Sequence, residues 1–183
     1  MTVPRPELTG DYDIDPEHSR LGFVARHAMI TKVRGSFKKF EGWLHIDGTD
    51  PTRSSGYVRI DAASIDTGSS ARDEHLRSND FFDLANYPDI VFHTSKVEPI
   101  GEVRVKVTGD LTVKGVTHPV TIEVEYTGPV VDPFGNTRIG IEAFGTISRK
   151  DWNLAWNAPL EMGGVLVGDT ITLEIDLSAV KRV

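Results

Sequence analysis

The 183-residue sequence contains no cysteine, which excludes thiol nucleophiles, zinc–thiolate sites, iron–sulfur clusters and any disulfide framework. Long apolar runs are missing as well. No stretch approaches the roughly 18 consecutive apolar residues of a membrane-spanning helix. Nor is there a long run of one charge. Lys and Arg number 20 against 27 Asp and Glu, a net charge of -7, which argues against a phosphate-backbone partner and so against nucleic acid. The N-terminus, MTVPRPELTGDYDIDP, has no apolar h-region after Arg5, so no secretory leader is expected and the chain is read as cytoplasmic. Enough apolar material remains for a real core: 39% of residues are hydrophobic and 26% charged, ordinary globular values. One domain is the expectation at this length, residues 11–183, after a loose arm over residues 1–10 that carries Pro4 and Pro6.

Catalytic motifs are also lacking. There is no G-x-S-x-G, P-loop, G-x-G-x-x-G or H-E-x-x-H. His18, His27, His45, His75, His93 and His118 are too scattered for any local pair to grip a metal, and neither metal nor cofactor is expected. Asp11, Asp13 and Asp15 alternate like the opening of a calcium loop, but Pro16 stands where that loop needs Gly and Gly22 where it needs Glu. His18 and Ser19 are neighbours on an extended segment, point to opposite faces and do not pair as base and nucleophile.

What the sequence does have is period-two alternation from end to end. Ile171, Leu173, Ile175 and Leu177 share one side of a run whose other side is Thr172, Glu174, Asp176 and Ser178. Comparable inward sets are Leu21, Phe23, Ala25 and His27; Phe40, Gly42, Leu44 and Ile46; Val58, Ile60 and Ala62; and Ile90, Phe92 and Thr94. Val103, Val105 and Val107, then Val120, Ile122, Val124 and Tyr126, then Ile139, Ile141, Ala143, Gly145 and Ile147 complete about eight strands. One wet face per strand marks antiparallel sheet, and short connections such as Lys114-Gly115 imply up-and-down neighbours. Only two segments break the pattern. SSARDEHLRSNDFFD (69–83), with a Ser cap and early acids, predicts one short helix, and the lapse after His27 predicts a lesser helical turn near 28–32. Alternation alone suits a sandwich as well as a barrel. Small inward residues (Ala25, Gly42, Ala62, Ala143, Gly145) favour an all-β antiparallel barrel with room inside.

Several residues carry two readings. His27 faces inward, where it meets a ligand head group or serves as a satisfied barrel-end histidine. Arg149 either meets an anionic head group or pairs with Asp151. Trp152 and Trp156 form an exposed platform or pack across the barrel mouth.

Beyond composition, Asp66-Thr67-Gly68, ARDEHLRSNDFFD (71–83), YPDIVF (87–92) and GDLTVKGVTHPV (109–120) resemble the signature of the YceI-like family. The resemblance extends over HSRLGFVARH (18–27), VRGSFKKFEGWL (33–44), SRKDWNL (148–154) and VGDTITLEIDLSA (167–179), so it spans Tyr12 to Ala179. One departure is Trp152-Asn153, where the family usually has Phe-Gly. The resemblance implies a lipocalin-like barrel that binds a long polyisoprenoid in an apolar pore, without established catalytic residues; dimers and transient membrane contact are compatible with it. On this reading the pore is lined by Phe23, Ala25, His27, Phe37, Phe40, Ile60, Phe92, Val105, Val107, Leu111, Ile141, Ala143 and Ile147. Head-group candidates are Arg149, Arg72 and Asp66. The expected function is non-catalytic storage or transport of an isoprenoid or related long-chain lipid. The alternatives are a lipid isomerase or cyclase using His27, Asp66, Arg72 and Arg149, or a barrel with a packed interior that binds proteins through Trp43, Tyr57 and Phe144.

Overall fold

The computed structural model describes residues 3–183. Each alternating run becomes a strand, because an apolar side chain at every second position buries one face of the pleat while its neighbours stay wet. In chain order the elements are β1 (Gly10–Ile14), β2 (Arg20–His27), β3 (Thr31–Phe37), β4 (Phe40–Ile46), β5 (Ser55–Asp61) and β6 (Ile65–Asp66). Then follow α1 (Ser70–Arg77), β7 (Asp89–Pro99), β8 (Arg104–Val113), β9 (Val116–Val131), β10 (Thr137–Ser148) and β11 (Thr170–Lys181). Strands β1, β4, β5, β7, β8, β9, β10 and β11 succeed one another around a ring that closes where β11 pairs with β1. The result is an eight-stranded closed antiparallel barrel.

Strands β2, β3 and β6 are the continuations of the first three rungs past short breaks. At Pro16–His18 the break between β1 and β2 is a 3-10 turn whose cap, Asp15, accepts the Glu17 N–H at 3.1 Å. Past it, β2 takes over from β1 as the partner of β11, running from Thr172–Val24 to Asp176–Arg20. Strand β3 pairs with β2, and β6 with β3. One end of the barrel therefore carries the β2–β3 turn, α1 and the segment 149–169. The other end carries the N-terminal turn and the connections at 47–54, 100–103 and 132–136.

Differences from the sequence expectation sit at the strand ends. Helix α1 stops at Arg77, short of the expected 83, because the chain reverses there: Phe82 N–H reaches Leu76 O and Asp83 adopts φ 50°. The reversal turns Phe81 and Phe82 inward onto the core. Near 28–32 there is no helical turn but the tight β2–β3 reversal, with Ala28 and Met29 at φ 50° and 62°. Two left-handed residues between antiparallel strands are what a tight hairpin requires. Within the segment expected as a loose arm, Met1 and Thr2 lie outside the described residues, Pro6–Leu8 form a 3-10 turn and Gly10 opens β1. Leu8 is buried against Tyr12, Ile139 and Ala179, and the Tyr12 hydroxyl donates to Leu8 O at 2.8 Å.

Packed clusters flank the barrel interior toward both ends. At the α1 end, Ala62, Phe81, Ile90, Val113, Val120, Trp152 and Leu154 form one core; at the other, Leu8 and Tyr12 head a second. Each such side chain contributes about 1.5–3 kcal/mol on burial. No helix of the described residues is long and apolar enough to cross a membrane.

Candidate functional site

Inside these clusters, whose members also line it, the barrel is hollow. A cavity of about 790 Å³ runs along its interior, within the range of roughly 300–1,000 Å³ typical of small-molecule sites. Its wall follows from the alternation. Leu21, Phe23, Ala25 and His27 come from β2; Val33 and Phe37 from β3; Val58 and Ile60 from β5. Strand β7 adds Ile90, Phe92, Thr94 and Val97, the set changing parity at the irregularity between Thr94 and Lys96. Val105, Val107 and Leu111 of β8, Ile122 and Val124 of β9, Ile141 and Ala143 of β10, and Leu173 and Ile175 of β11 complete the apolar ring. Leu76, Phe81 and Phe82 bound it near α1, with Phe82 edge-on to Phe37 at 6.1 Å.

Of the expected pore residues, Phe40 and Ile147 lie outside the cavity. Phe40 packs with Ile14, Leu21 and Leu177, and Ile147 against the α1-end core. Their strand partners Ile60 and Ile171 do line the cavity, while these two side chains pack against neighbours instead. Of the small inward residues Ala25 and Ala143 line the cavity, whereas Gly42 and Gly145 do not themselves make room. A side chain on Gly42 would collide with Ile14 Cδ1 and the Tyr57 carbonyl, and one on Gly145 with Ile122. These glycines accept neighbours that lean over them.

Polar groups border the cavity at both ends, Asp47, Ser54 and Ser55 at one and a larger set near α1. Arg72 lies in the cavity wall; its Nε donates to Thr67 Oγ1 at 2.7 Å and its Nη2 to Thr67 O at 2.6 Å. Thr67 is anchored in turn by buried Asp73, whose Oδ1 accepts the Thr67 N–H at 3.0 Å and its hydroxyl at 2.5 Å. No carboxylate reaches Arg72 within ion-pair distance among the described residues, so the guanidinium keeps an uncompensated charge beside the lumen. His75 also borders the lumen, held by Asp80 at 2.8 Å and packed edge-on to Trp156 at 4.5 Å. His27 lies in the wall at the end of β2. Asp66 does not face the lumen; its carboxylate accepts the Gly68 N–H at 2.9 Å in a local turn.

Arg149 borders the cavity, but its donors point into the backbone. Nε donates to Gly168 O at 2.9 Å, Nη1 to Trp156 O at 3.0 Å and to Leu154 O, and Nη2 to Val167 O at 3.2 Å. Its acidic neighbour is Asp169, with Oδ1 at 3.6 Å, in place of the expected Asp151, because the hairpin into β11 brings residue 169 alongside. Burial pushes the guanidinium below its ordinary value, and Asp169 works against that. Arg149 thus ties down the segment 153–168. Asn157, which the sequence reading passed over, does the same: its Oδ1 accepts the N–H of Val167 at 2.9 Å and its Nδ2 donates to Val167 O at 2.7 Å. A lone Asn in an irregular loop carries no signal that would have singled it out.

Trp152 is 1% exposed and donates its indole N–H to Leu111 O at 2.8 Å, while Trp156 lies in the wall against His75 and Phe81. Neither forms a free platform. Asn153 follows at φ 60°, a left-handed position at which glycine is the usual residue and asparagine the next best tolerated. The Trp-Asn pair therefore keeps the turn while filling the core beneath it. Among the described residues, no group of three His, Asp or Glu side chains is placed to hold a metal ion.

A closed antiparallel barrel around one large, mainly apolar lumen with a few polar groups toward its ends defines a small-ligand-binding barrel. Within that class the chain belongs to the YceI-like domain family, which it matches over residues 12–179. It is 40% identical over 149 residues to Protein YceI of Escherichia coli O157:H7, covering 80% of this chain and 78% of that one. The crystal structure of Burkholderia cenocepacia BcnA superposes with a TM-score of 0.80 at 25% identity, covering 90% of this chain and 98% of BcnA. A polyisoprenoid binding domain from Saccharophagus degradans has the same fold, with a TM-score of 0.68 at 18% identity over 93% of this chain and 98% of that domain.

Proposed function

We propose that this protein takes up a long-chain isoprenoid lipid and holds its tail in the barrel lumen for storage or transport, without chemically changing it. The observation that carries this reading is the cavity itself: about 790 Å³ of space whose wall is mainly aliphatic and aromatic. An apolar chain gains roughly 0.8 kcal/mol for each CH2 moved from water into such surroundings. The S. degradans domain, named for polyisoprenoid binding, supports the choice of tail. A packed protein-interaction barrel has no use for an open lumen.

The polar groups support binding over catalysis. Arg149 is committed to carbonyls of the loop it holds, and Asp66 to a turn on the outside. Arg72 is left to meet an anionic or carbonyl-bearing head group, positioned by Thr67 and Asp73.

The test is a series of quinones or polyprenyl alcohols differing only in tail length, titrated by quenching of Trp156 and Trp152 fluorescence. Affinity should climb with each isoprene unit until the lumen is full, then level off. A flat response across the series overturns the proposal. Mass spectrometry of the same incubations should return each lipid unaltered; a product would establish the isomerase or cyclase alternative.

A further inference from the structure

Two hairpin tips stand side by side at the α1 end. One is the β2–β3 turn, Ala28–Ile30; the other is the turn of the segment tied down by Arg149, where the Leu160 N–H reaches Gly164 O at 3.1 Å. They are joined: the Ala28 N–H donates to Leu166 O at 2.7 Å, the Gly168 N–H to Arg26 O at 3.0 Å, and His27 bridges Val167. Met29 lies against Gly164, which has no side chain to block it. The paired tips form one projection. Its stem, at Arg26, His27, Leu166 and Val167, is part of the cavity wall.

The projection is apolar and wet. Met29 is 60% exposed, Ile30 78%, Met162 99% and Val165 37%. Ala28 and Met29 hold left-handed φ values of 50° and 62°, where glycine or asparagine is the stable choice. Stability does not account for an exposed Met at that position. Around the apolar tips the charge is mainly positive. Arg26, Lys32 and Arg34 flank the β2–β3 turn, and of these only Arg34 has an acidic partner among the described residues, Glu174 at 3.8 Å. Glu161 is the single acid on the two tips. On a chain of net charge -7 this is a local reversal of sign.

The geometry points to this projection as the surface by which the protein docks on an anionic lipid bilayer, inserting Met29, Ile30 and Met162 into the acyl boundary while Arg26 and Lys32 meet lipid phosphates. The inference rests on the lipid-binding reading, since a tail too insoluble to cross water must enter from a membrane laid against the cavity mouth. At the opposite end Val130, Val131 and Phe134 are exposed together but border no part of the lumen, and Val3, exposed there and lining it, stands alone.

Vesicles of phosphatidylcholine with one part in three phosphatidylglycerol test it by co-sedimentation. Wild-type protein should bind them, and bind pure phosphatidylcholine more weakly. The double variant Ile30→Ser/Met162→Ser should lose about tenfold in partitioning. Phe134→Ser should lose nothing, and all three proteins should take up a short-tailed quinone added from ethanol equally well. Equal partitioning of wild type and double variant, or a loss confined to Phe134→Ser, overturns the docking surface. So does a wild-type protein that takes up the quinone but ignores vesicles; a dimer broken by the double variant would then assign the tips to a second copy. A protein that partitions yet takes up no quinone sinks the lipid-storage reading and leaves the docking surface standing.

Discussion

Phe92 owes its place in the cavity wall to Gly109 on the neighbouring strand. Its ring lies where a side chain on Gly109 would stand, as the Phe23 ring does over Gly35. An added carbon at position 109 would meet both the Phe92 ring and, at 2.7 Å, the His93 carbonyl, so the ring and the β7 backbone beside the lumen must both give way. Gly109→Ala is therefore expected to keep the fold, to lower the affinity for long tails several-fold and to spare short ones; equal affinities across the tail series would show that Phe92 yields elsewhere. Charge matters at the opposite end of the barrel. Arg138 joins Asp132 at 2.7 Å and Asp15 at 2.8 Å, stapling the β9–β10 turn to the β1–β2 break. The Arg138 guanidinium, with backbone N–H groups, pulls the Asp132 carboxyl down to about 2 from an ordinary 3.8. A carboxyl lowered by folding contributes stability above its unfolded value, and that contribution fades as pH falls toward the folded value. Asp132→Asn should thus melt below wild type at pH 7, with the gap closing between about pH 4 and pH 2 in thermal melts. A constant gap would mean the loss is steric. At this scale the sequence was partly legible. Alternation reports which way Phe40 or Ile147 points, but not whether the space it points into is already full, because the pleat sets direction and packing sets vacancy.

Among the elements, the segment between β10 and β11 depends most on one side chain. Residues 153–168 have almost no regular structure; they are held by the four carbonyls that converge on Arg149 and by Asn157. Replacing the guanidinium by an apolar chain of similar length leaves the carbonyls of Leu154, Trp156 and Gly168 without this donor, Val167 O keeping Asn157, at a penalty of about 1–3 kcal/mol for each left buried and unpaired. Arg149→Met is expected to cost about 2–4 kcal/mol in urea denaturation and to open 153–168 to limited proteolysis while the strands stay protected. Protease resistance equal to wild type would assign the fastening to Asn157 alone. The role was hidden in the sequence, where Arg149 and Asp151 look like a local pair. Only the return of β11 beside β10 brings Asp169, Val167 and Gly168 within reach. Helix α1 was easier to read, since Ser69 is its cap and accepts the Arg72 N–H at 3.3 Å. Its end was not, because the inward turn of Phe81 and Phe82 answers to the core beneath.

Taken whole, the molecule should become more stable when the lumen is filled, because a ligand that binds only the folded barrel draws the equilibrium toward it. At a concentration about a hundred times its dissociation constant, a lipid adds about 2.7 kcal/mol. For a domain of this size that is a rise of roughly 5–10 °C in Tm. Differential scanning fluorimetry with the tail series should show the shift growing with tail length; no shift with any tail that binds would place binding outside the lumen. Closure also depends on the whole. No strand pair specifies a ring, and the register along β11 changes from β2 to β1 before the last contact forms.

By itself the amino-acid sequence determined the strands, their antiparallel order and the oily face each turns inward, since period-two alternation is a local property enforced by the pleat. The tertiary structure alone decided that the inward faces surround an open lumen, that Arg149 serves the backbone and that two distant apolar tips share one projection. Each of those depends on distances between residues far apart in the chain, set only when the ring closes and the side chains compete for the same space.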